Sequence, residues 1–235
     1  MGQHVLVKTV LLTGADGQVG RASRPRLEAD GWTVRGFDLL SGDDLRDDKA
    51  VLAAVAGCDA VVHAGAIAHD RAGTPADIVA TNLLGTWHVL LAAEAHGVSR
   101  VVYFSSAQVF GFAEGEGKPV YLPVDDHHPV RAARPYGMSK RLAEEMCEAW
   151  TARTGIPTVV LRPVMILGDD GLRIVTETEA ELGAFVHVDD VADAVVRSLR
   201  VDVSGTLRLT LCGPGQFDTT HTRQTLGWHP QRSWE

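Results

Sequence analysis

Three glycines in G-x-x-G-x-x-G spacing, Gly14, Gly17 and Gly20, lie between a strand-length apolar run and a stretch of helical periodicity. The run covers residues 5–12, the helix is expected to reach about Asp30, and Gly31 stops it. Strand, glycine turn and helix in that order constrain this chain more than any other segment. The first glycine permits a tight turn, the second lets backbone approach a diphosphate, and the third lets the helix pack close to the strand. The helix start then offers free N–H groups and a positive dipole end to phosphate oxygens. Within Thr13-Gly14-Ala15-Asp16-Gly17-Gln18-Val19-Gly20, the dinucleotide contacts fall to Gly14, Gly17, Gln18, Val19 and Gly20.

Downstream, strand-length runs at 32–37, 60–63, 100–105, 158–162 and 206–211 alternate with helical stretches at 47–56, 76–96, 135–154 and 189–199. A short strand is expected near Gly42, an irregular loop over 112–134 and a helical piece at 222–226. This alternation predicts an α/β fold, a Rossmann-type doubly wound parallel sheet with helices on both faces. Residues 1–165 would form the dinucleotide-binding part. Residues 166–235 would form a small substrate region interleaved with the last strand, in one compact unit. Pro25 falls inside the first helix, where a kink near Arg24–Pro25 is expected at a cost of about 3 kcal/mol.

Bulk properties narrow the function classes. The 235 residues carry a formal net charge of −8, which argues against a nucleic-acid surface. Three cysteines without metal-like spacing point to reduced thiols. No leader pattern and no run approaching ~20 apolar residues is seen, so a soluble cytoplasmic chain is expected, with no membrane partner. Asp125-Asp126-His127-His128 are adjacent in a loop and cannot all converge on one ion, so no metal is expected.

Asp38 ends the second strand, where a carboxylate accepts from adenosine ribose hydroxyls and repels a 2′-phosphate. Arg35 points away by strand parity, so NAD is favoured over NADP. Asp44 and Leu45 follow in the next loop, where an acid and an apolar residue can flank the adenine. Further on, Tyr136 and Lys140 stand at i and i+4 on one helix face. A tyrosine of ordinary pKa near 10 is a poor acid–base at neutral pH, and a neighbouring ammonium stabilises its phenolate. Ser105 and Ser106 end a strand, where doubly wound sheets carry their chemistry. Ser106, just past the strand, is the candidate to hold a substrate oxygen, while Ser105 is expected to be packed.

Taken in order, these motifs resemble the NAD-dependent epimerase/dehydratase family, the extended branch of the short-chain dehydrogenase/reductase superfamily. They are Thr13 to Gly20, Asp38, Asp44-Leu45, Val62-His63-Ala64-Gly65-Ala66, Asn82, Ser105-Ser106, Tyr136 to Lys140, Leu161-Arg162-Pro163 and His187-Val188-Asp189-Asp190. The resemblance implies that Ala64, Gly65 and Ala66 line the cofactor's diphosphate–ribose path and that Asn82 supports the active site. It also implies that backbone after Arg162-Pro163, at Pro163 and Val164, meets the nicotinamide carboxamide. Ser106, Tyr136 and Lys140 would carry out proton transfer as hydride passes between a sugar carbinol and NAD. The family's 4,6-dehydratases follow the serine with an acidic pair. Here Ala107-Gln108 stand there, neither an acid nor a base, which argues against 4,6-dehydration and leaves Gln108 as a substrate contact beside Ser106.

Members of this branch are usually longer. Only about two dozen residues separate Pro163 from His187, and Arg173 is the basic residue offered there for a substrate. The expected activity is a sugar or nucleotide-sugar epimerase or oxidoreductase. A dehydrogenase of a free sugar or uronic acid is the alternative, and a non-catalytic NAD sensor or scaffold is the alternative of another class. A homodimer through helices 76–96 and 135–154 is the expected assembly.

Overall fold

A computed structural model describes residues 8–112, 117–169 and 177–232. Six parallel strands form the central sheet: β1 (Lys8–Thr13), β2 (Trp32–Phe37), β3 (Ala60–His63), β4 (Val101–Phe104), β5 (Thr158–Pro163) and β8 (Thr206–Leu211). Their spatial order is β2-β1-β3-β4-β5-β8. The chain reverses direction across the sheet between β1 and β3, and at that switch point the strand ends open a crevice.

Side-chain alternation divides the core between the two faces. Val10, Leu12, Val62, Val102 and Leu161 pack with Leu27 of α1 (Gln18–Ala29) and with Val191 and Val195 of α7 (Val188–Arg200). Leu11, Val61, Val101, Tyr103 and Val160 face the other way. They meet Val51 and Val55 of α2 (Asp48–Val55), Val89 and Leu90 of α4 (Gly85–Ala95), and Cys147 and Trp150 of α5 (Pro135–Thr154). These strands are buried on both faces, which is why they read as continuous Val and Leu runs. The doubly wound α/β prediction holds.

Several local expectations change. No strand forms near Gly42. Asp38 accepts from Leu40 N–H and turns residues Leu39–Ser41 into a 3₁₀ turn, which Gly42 ends at φ 94°. Helix α1 runs unbroken through Pro25. Arg21, whose carbonyl the proline leaves without a helical donor, and Pro25 itself are both exposed, so water can take that bond. The helix expected from 189 starts at Val188, and its N-cap is His187, whose Nδ1 accepts from Asp189 N–H at 3.1 Å. His187 ends β7 (Phe185–His187), which pairs in parallel with β6 (Met165–Leu167) beside the main sheet, with α6 (Glu177–Leu182) between them in sequence.

The predicted 76–96 helix is composite. It runs from α3 (Pro75–Ile78) through a π-helical turn (Val79–Leu84) into α4. Contrary to the sequence expectation, Pro75–Ala95 is long and apolar enough to cross a membrane by length and composition. In this fold Val89, Leu90 and Ala93 pack beneath the sheet. The C-terminal helix α8 covers Thr220–Leu226.

Candidate functional site

The glycine loop is shaped by contacts that leave no room for side chains. Gly14 has φ +69°, and a Cβ there would stand 2.7 Å from Gly65 N. A Cβ on Gly20 would overlap Gly14 O and stand 2.6 Å from Ala15 O, so this glycine lets α1 close on the loop. Gly17 is the N-cap of α1, and no side chain caps it. Gly14, Gly17, Gln18 and Val19 line a cavity of about 1180 Å³, while Gly20 is buried and is not one of its walls.

One carboxylate organises the adenosine end. Asp38 Oδ2 accepts from Asp16 N–H at 3.0 Å and Oδ1 from Leu40 N–H at 2.9 Å. Asp38 thus fixes the glycine loop as well as facing the cavity, and each oxygen keeps a further lone pair for a ribose hydroxyl. Arg35 is turned away, donating to Ala54 O and Ala56 O. Asp44 lines the cavity but is chelated by Arg46 at 2.6 Å, a contact that lowers its pKa. Leu45 is buried against Gly65 and Gly85 as the floor between them.

A buried hydrogen-bond chain joins this loop to the helix layer. Gly65 N–H donates to Thr13 Oγ1, which lies 2.7 Å from His63 Nδ1. His63 Nε2 lies 3.0 Å from Thr86 Oγ1, and that hydroxyl donates to Asn82 O. Burial first, and Lys140 second, push the imidazole pKa down to about 3, so His63 is neutral. With Thr86 already donating onward, His63 carries its proton on Nε2 and accepts from Thr13; this tautomer is assigned from the network. Ala64, Gly65 and Ala66 line the cavity. Asn82 is buried away from it: Oδ1 accepts from Ile67 N–H at 2.8 Å, and Nδ2 donates to Ile67 O and to Ser139 Oγ at 3.2 Å. It acts on the β3–α3 loop and on α5, not on a bound molecule.

Ser106, Tyr136, Lys140 and Gln108 line the same cavity. Ser106 caps a 3₁₀ turn, accepting from Gln108 N–H at 3.1 Å. Lys140 donates to Phe104 O at 2.6 Å and stands 5.0 Å from the Tyr103 ring centroid. Burial lowers its pKa to about 8. Ser105 is packed, as expected: its hydroxyl donates to Glu144 Oε1 at 2.5 Å. Glu144 is itself held by Arg162 at 2.6 Å in a pair buried on both sides, and Arg162 also donates to Asp126 O.

Pro163 and Val164 line the cavity. Val164 N–H donates to Leu211 O and Met165 N–H to Ala184 O, so these two N–H groups are engaged within the protein. Arg173 lies outside the described residues. Residues missed from sequence complete the walls: His69 and Arg71, Phe112, Arg134, Met165, Leu182, Ala184 and Phe217. They come from several loops, from β6 and from the end of α6, with no common spacing. The Asp-Asp-His-His run disperses, Asp126 holding Thr210 and His221 while His128 accepts from Val120 N–H.

A doubly wound sheet with an open glycine loop at its switch point defines a dinucleotide-binding Rossmann protein, and Ser106, Tyr136 and Lys140 stand at the far end of its crevice. Residues 10–179 match the NAD dependent epimerase/dehydratase family, and the chain belongs to it. NAD is its cofactor, and the glycine cradle and Asp38 suit that molecule. The chain is 34% identical over 165 residues to a uronate dehydrogenase of Pseudomonas syringae pv. tomato, covering 65% of this chain and 58% of that one. It is also 35% identical over 132 residues to a dTDP-glucose 4,6-dehydratase of Streptomyces niveus, covering 55% and 37%. A solved mutant uronate dehydrogenase from Agrobacterium tumefaciens, complexed with NAD, superposes with a TM-score of 0.78 at 27% identity, covering 96% of this chain and 85% of that one. The chain thus spans under two thirds of the length of the curated relatives named here.

Proposed function

We propose that this protein is an NAD-dependent dehydrogenase of a free sugar acid. The observation that carries it is the substrate end of the cavity. Beyond Ser106 and Tyr136, the described walls combine the apolar Phe112, Met165, Ile166, Leu182, Ala184 and Phe217 with few polar groups, Gln108, His69 and two arginines, a set suited to a small substrate with one anionic group. Arg71 and Arg134 supply positive charge at the same cavity for a substrate anion. Similarity to uronate dehydrogenases supports the same substrate class.

Bound NAD supplies the hydride acceptor. Ser106 Oγ holds the substrate hydroxyl, and the Tyr136 phenolate removes its proton. The Lys140 ammonium stabilises that phenolate, and its own place is fixed by Phe104 O. Ala107 and Gln108 provide no acid or base beside Ser106, so elimination of water is not part of the proposed reaction. The same proposal places the protein in the cytoplasm as a homodimer through the 76–96 and 135–154 helices, where Val79, Leu84 and Leu91 are exposed.

The test is purified protein with NAD and either free uronates or nucleotide sugars, followed by absorbance and product NMR. Net NADH with a uronate is expected. A sugar isomer formed without NADH would favour the epimerase reading, which rests on family membership. NAD binding without turnover of any sugar would overturn the enzyme assignment and leave a binding protein.

A further inference from the structure

The helix carrying Tyr136 and Lys140 begins without a local cap. Its N-cap residue is Arg134, whose side chain makes no capping hydrogen bond, and Pro135 fills the first helical position. Proline has no N–H, so the first donor left without a helical partner belongs to Tyr136. That N–H donates to Asp70 Oδ1 at 2.7 Å. Asp70 lies in the loop between β3 and α3, at the start of the 3₁₀ turn Asp70–Ala72. A carboxylate at this end of a helix also meets the positive pole of its dipole. Asp70 thus performs, from a distant part of the chain, the capping that Arg134 does not.

The loop that holds Asp70 is also a wall of the cavity, through Ile67, Ala68, His69, Arg71 and Gly73. Its second tie is Asn82, which binds both backbone groups of Ile67 and reaches Ser139 Oγ. Ser139 Oγ in turn donates to Tyr136 O at 2.7 Å. Both ties therefore converge on the first turns of α5, and both main-chain polar groups of Tyr136 are engaged in them.

We propose that Asp70 is a positioning residue: by capping α5 at Tyr136, it sets the tyrosine's place relative to the loop that walls the cavity. This rests on Tyr136 being the acid–base group. Displacement of a reacting group by about 1 Å can cost about 100-fold in rate. Asp70→Ala is expected to lower kcat by roughly 10- to 100-fold, with NAD affinity changed little, because the glycine loop and Asp38 lie elsewhere. Asp70→Asn keeps an oxygen acceptor and is expected to restore most of kcat. Amide hydrogen exchange at Tyr136, measured by NMR on the NAD-loaded protein, should accelerate in Asp70→Ala and stay protected in Asp70→Asn. Unchanged exchange in Asp70→Ala would overturn the proposal, as would a lowered Tm with unchanged kcat. The exchange measurement needs no substrate. If the wild type oxidises no sugar acid, the substrate assignment falls by itself, while faster exchange in Asp70→Ala still supports the cap and unchanged exchange still removes it.

Discussion

The adenosine end and the substrate end of the cavity are assembled in different ways. At the adenosine end, Gly14, Gly17, Gln18, Val19, Asp38, Asp44 and Leu45 come from one stretch spanning β1 to the loop after β2. Adjacent parallel strands and one tight turn bring them together, so their chain spacing carries their geometry. At the substrate end, Ser106, Phe112 and Arg134 come from the segment between β4 and α5, Tyr136 from the start of α5, Met165 from β6, Leu182 from α6 and Phe217 from the loop after β8. Long-range ties hold this end, Asp70 to Tyr136 N–H and Glu144 to Ser105 and Arg162. The first end tolerates little change in backbone but is locally specified. The second depends on buried polar contacts between distant segments.

The largest expected effect separates chemistry from binding. Tyr136→Phe should reduce kcat by roughly 100- to 10,000-fold, the usual contribution of a positioned acid–base group, while calorimetry shows NAD bound as before. Parallel loss of NAD affinity would mean that the two ends are not separable.

Glu144→Ala tests the substrate end's framework. It leaves Arg162 buried without its carboxylate and removes the acceptor of Ser105, so unfolding should become easier by about 3–5 kcal/mol in a denaturant titration. A change below about 1 kcal/mol would show that the buried pair is not what holds the Ser105-Ser106 turn.

A pH series addresses Lys140. Its pKa in the fold is about 8, below the ordinary 10.5, because burial disfavours the ammonium. The folded state then binds fewer protons than the unfolded one between those values, so this group makes stability rise as pH climbs from about 8 towards 10.5. Activity should move the opposite way, since the ammonium that supports the Tyr136 phenolate is lost above about 8. A kcat/KM profile flat through that range would contradict the role given to Lys140.

The smallest effect belongs to cofactor choice. Asp38→Ser should reduce the preference for NAD over NADP by about tenfold, equivalent to about 1.4 kcal/mol of lost repulsion and hydrogen bonding. Because Asp38 also holds Asp16 N–H, a loss of affinity for both cofactors should accompany the change in ratio. Unchanged selectivity would remove Asp38 from the ribose site.

The glycine loop, the alternating strands, Asp38 and the Ser106, Tyr136, Lys140 set were legible in the sequence because each reflects a local rule. Gly14 needs a positive φ, parallel strands need apolar runs, and i, i+4 residues share a helix face. The same local rules misjudged Gly42, where a side chain of Asp38 turned an expected strand into a 3₁₀ turn. They gave no sign that the N–H groups after Pro163 are engaged, which only the pairing of Val164 with Leu211 and of Met165 with Ala184 shows. By itself the sequence determined a dinucleotide cradle and the helix face that holds Tyr136 and Lys140. Tertiary structure alone decided which distant carboxylate holds that helix and which segments wall the cavity beside it. A hydrogen bond between residues far apart in the chain leaves no periodic trace in either segment, and only folding brings its donor and acceptor within reach.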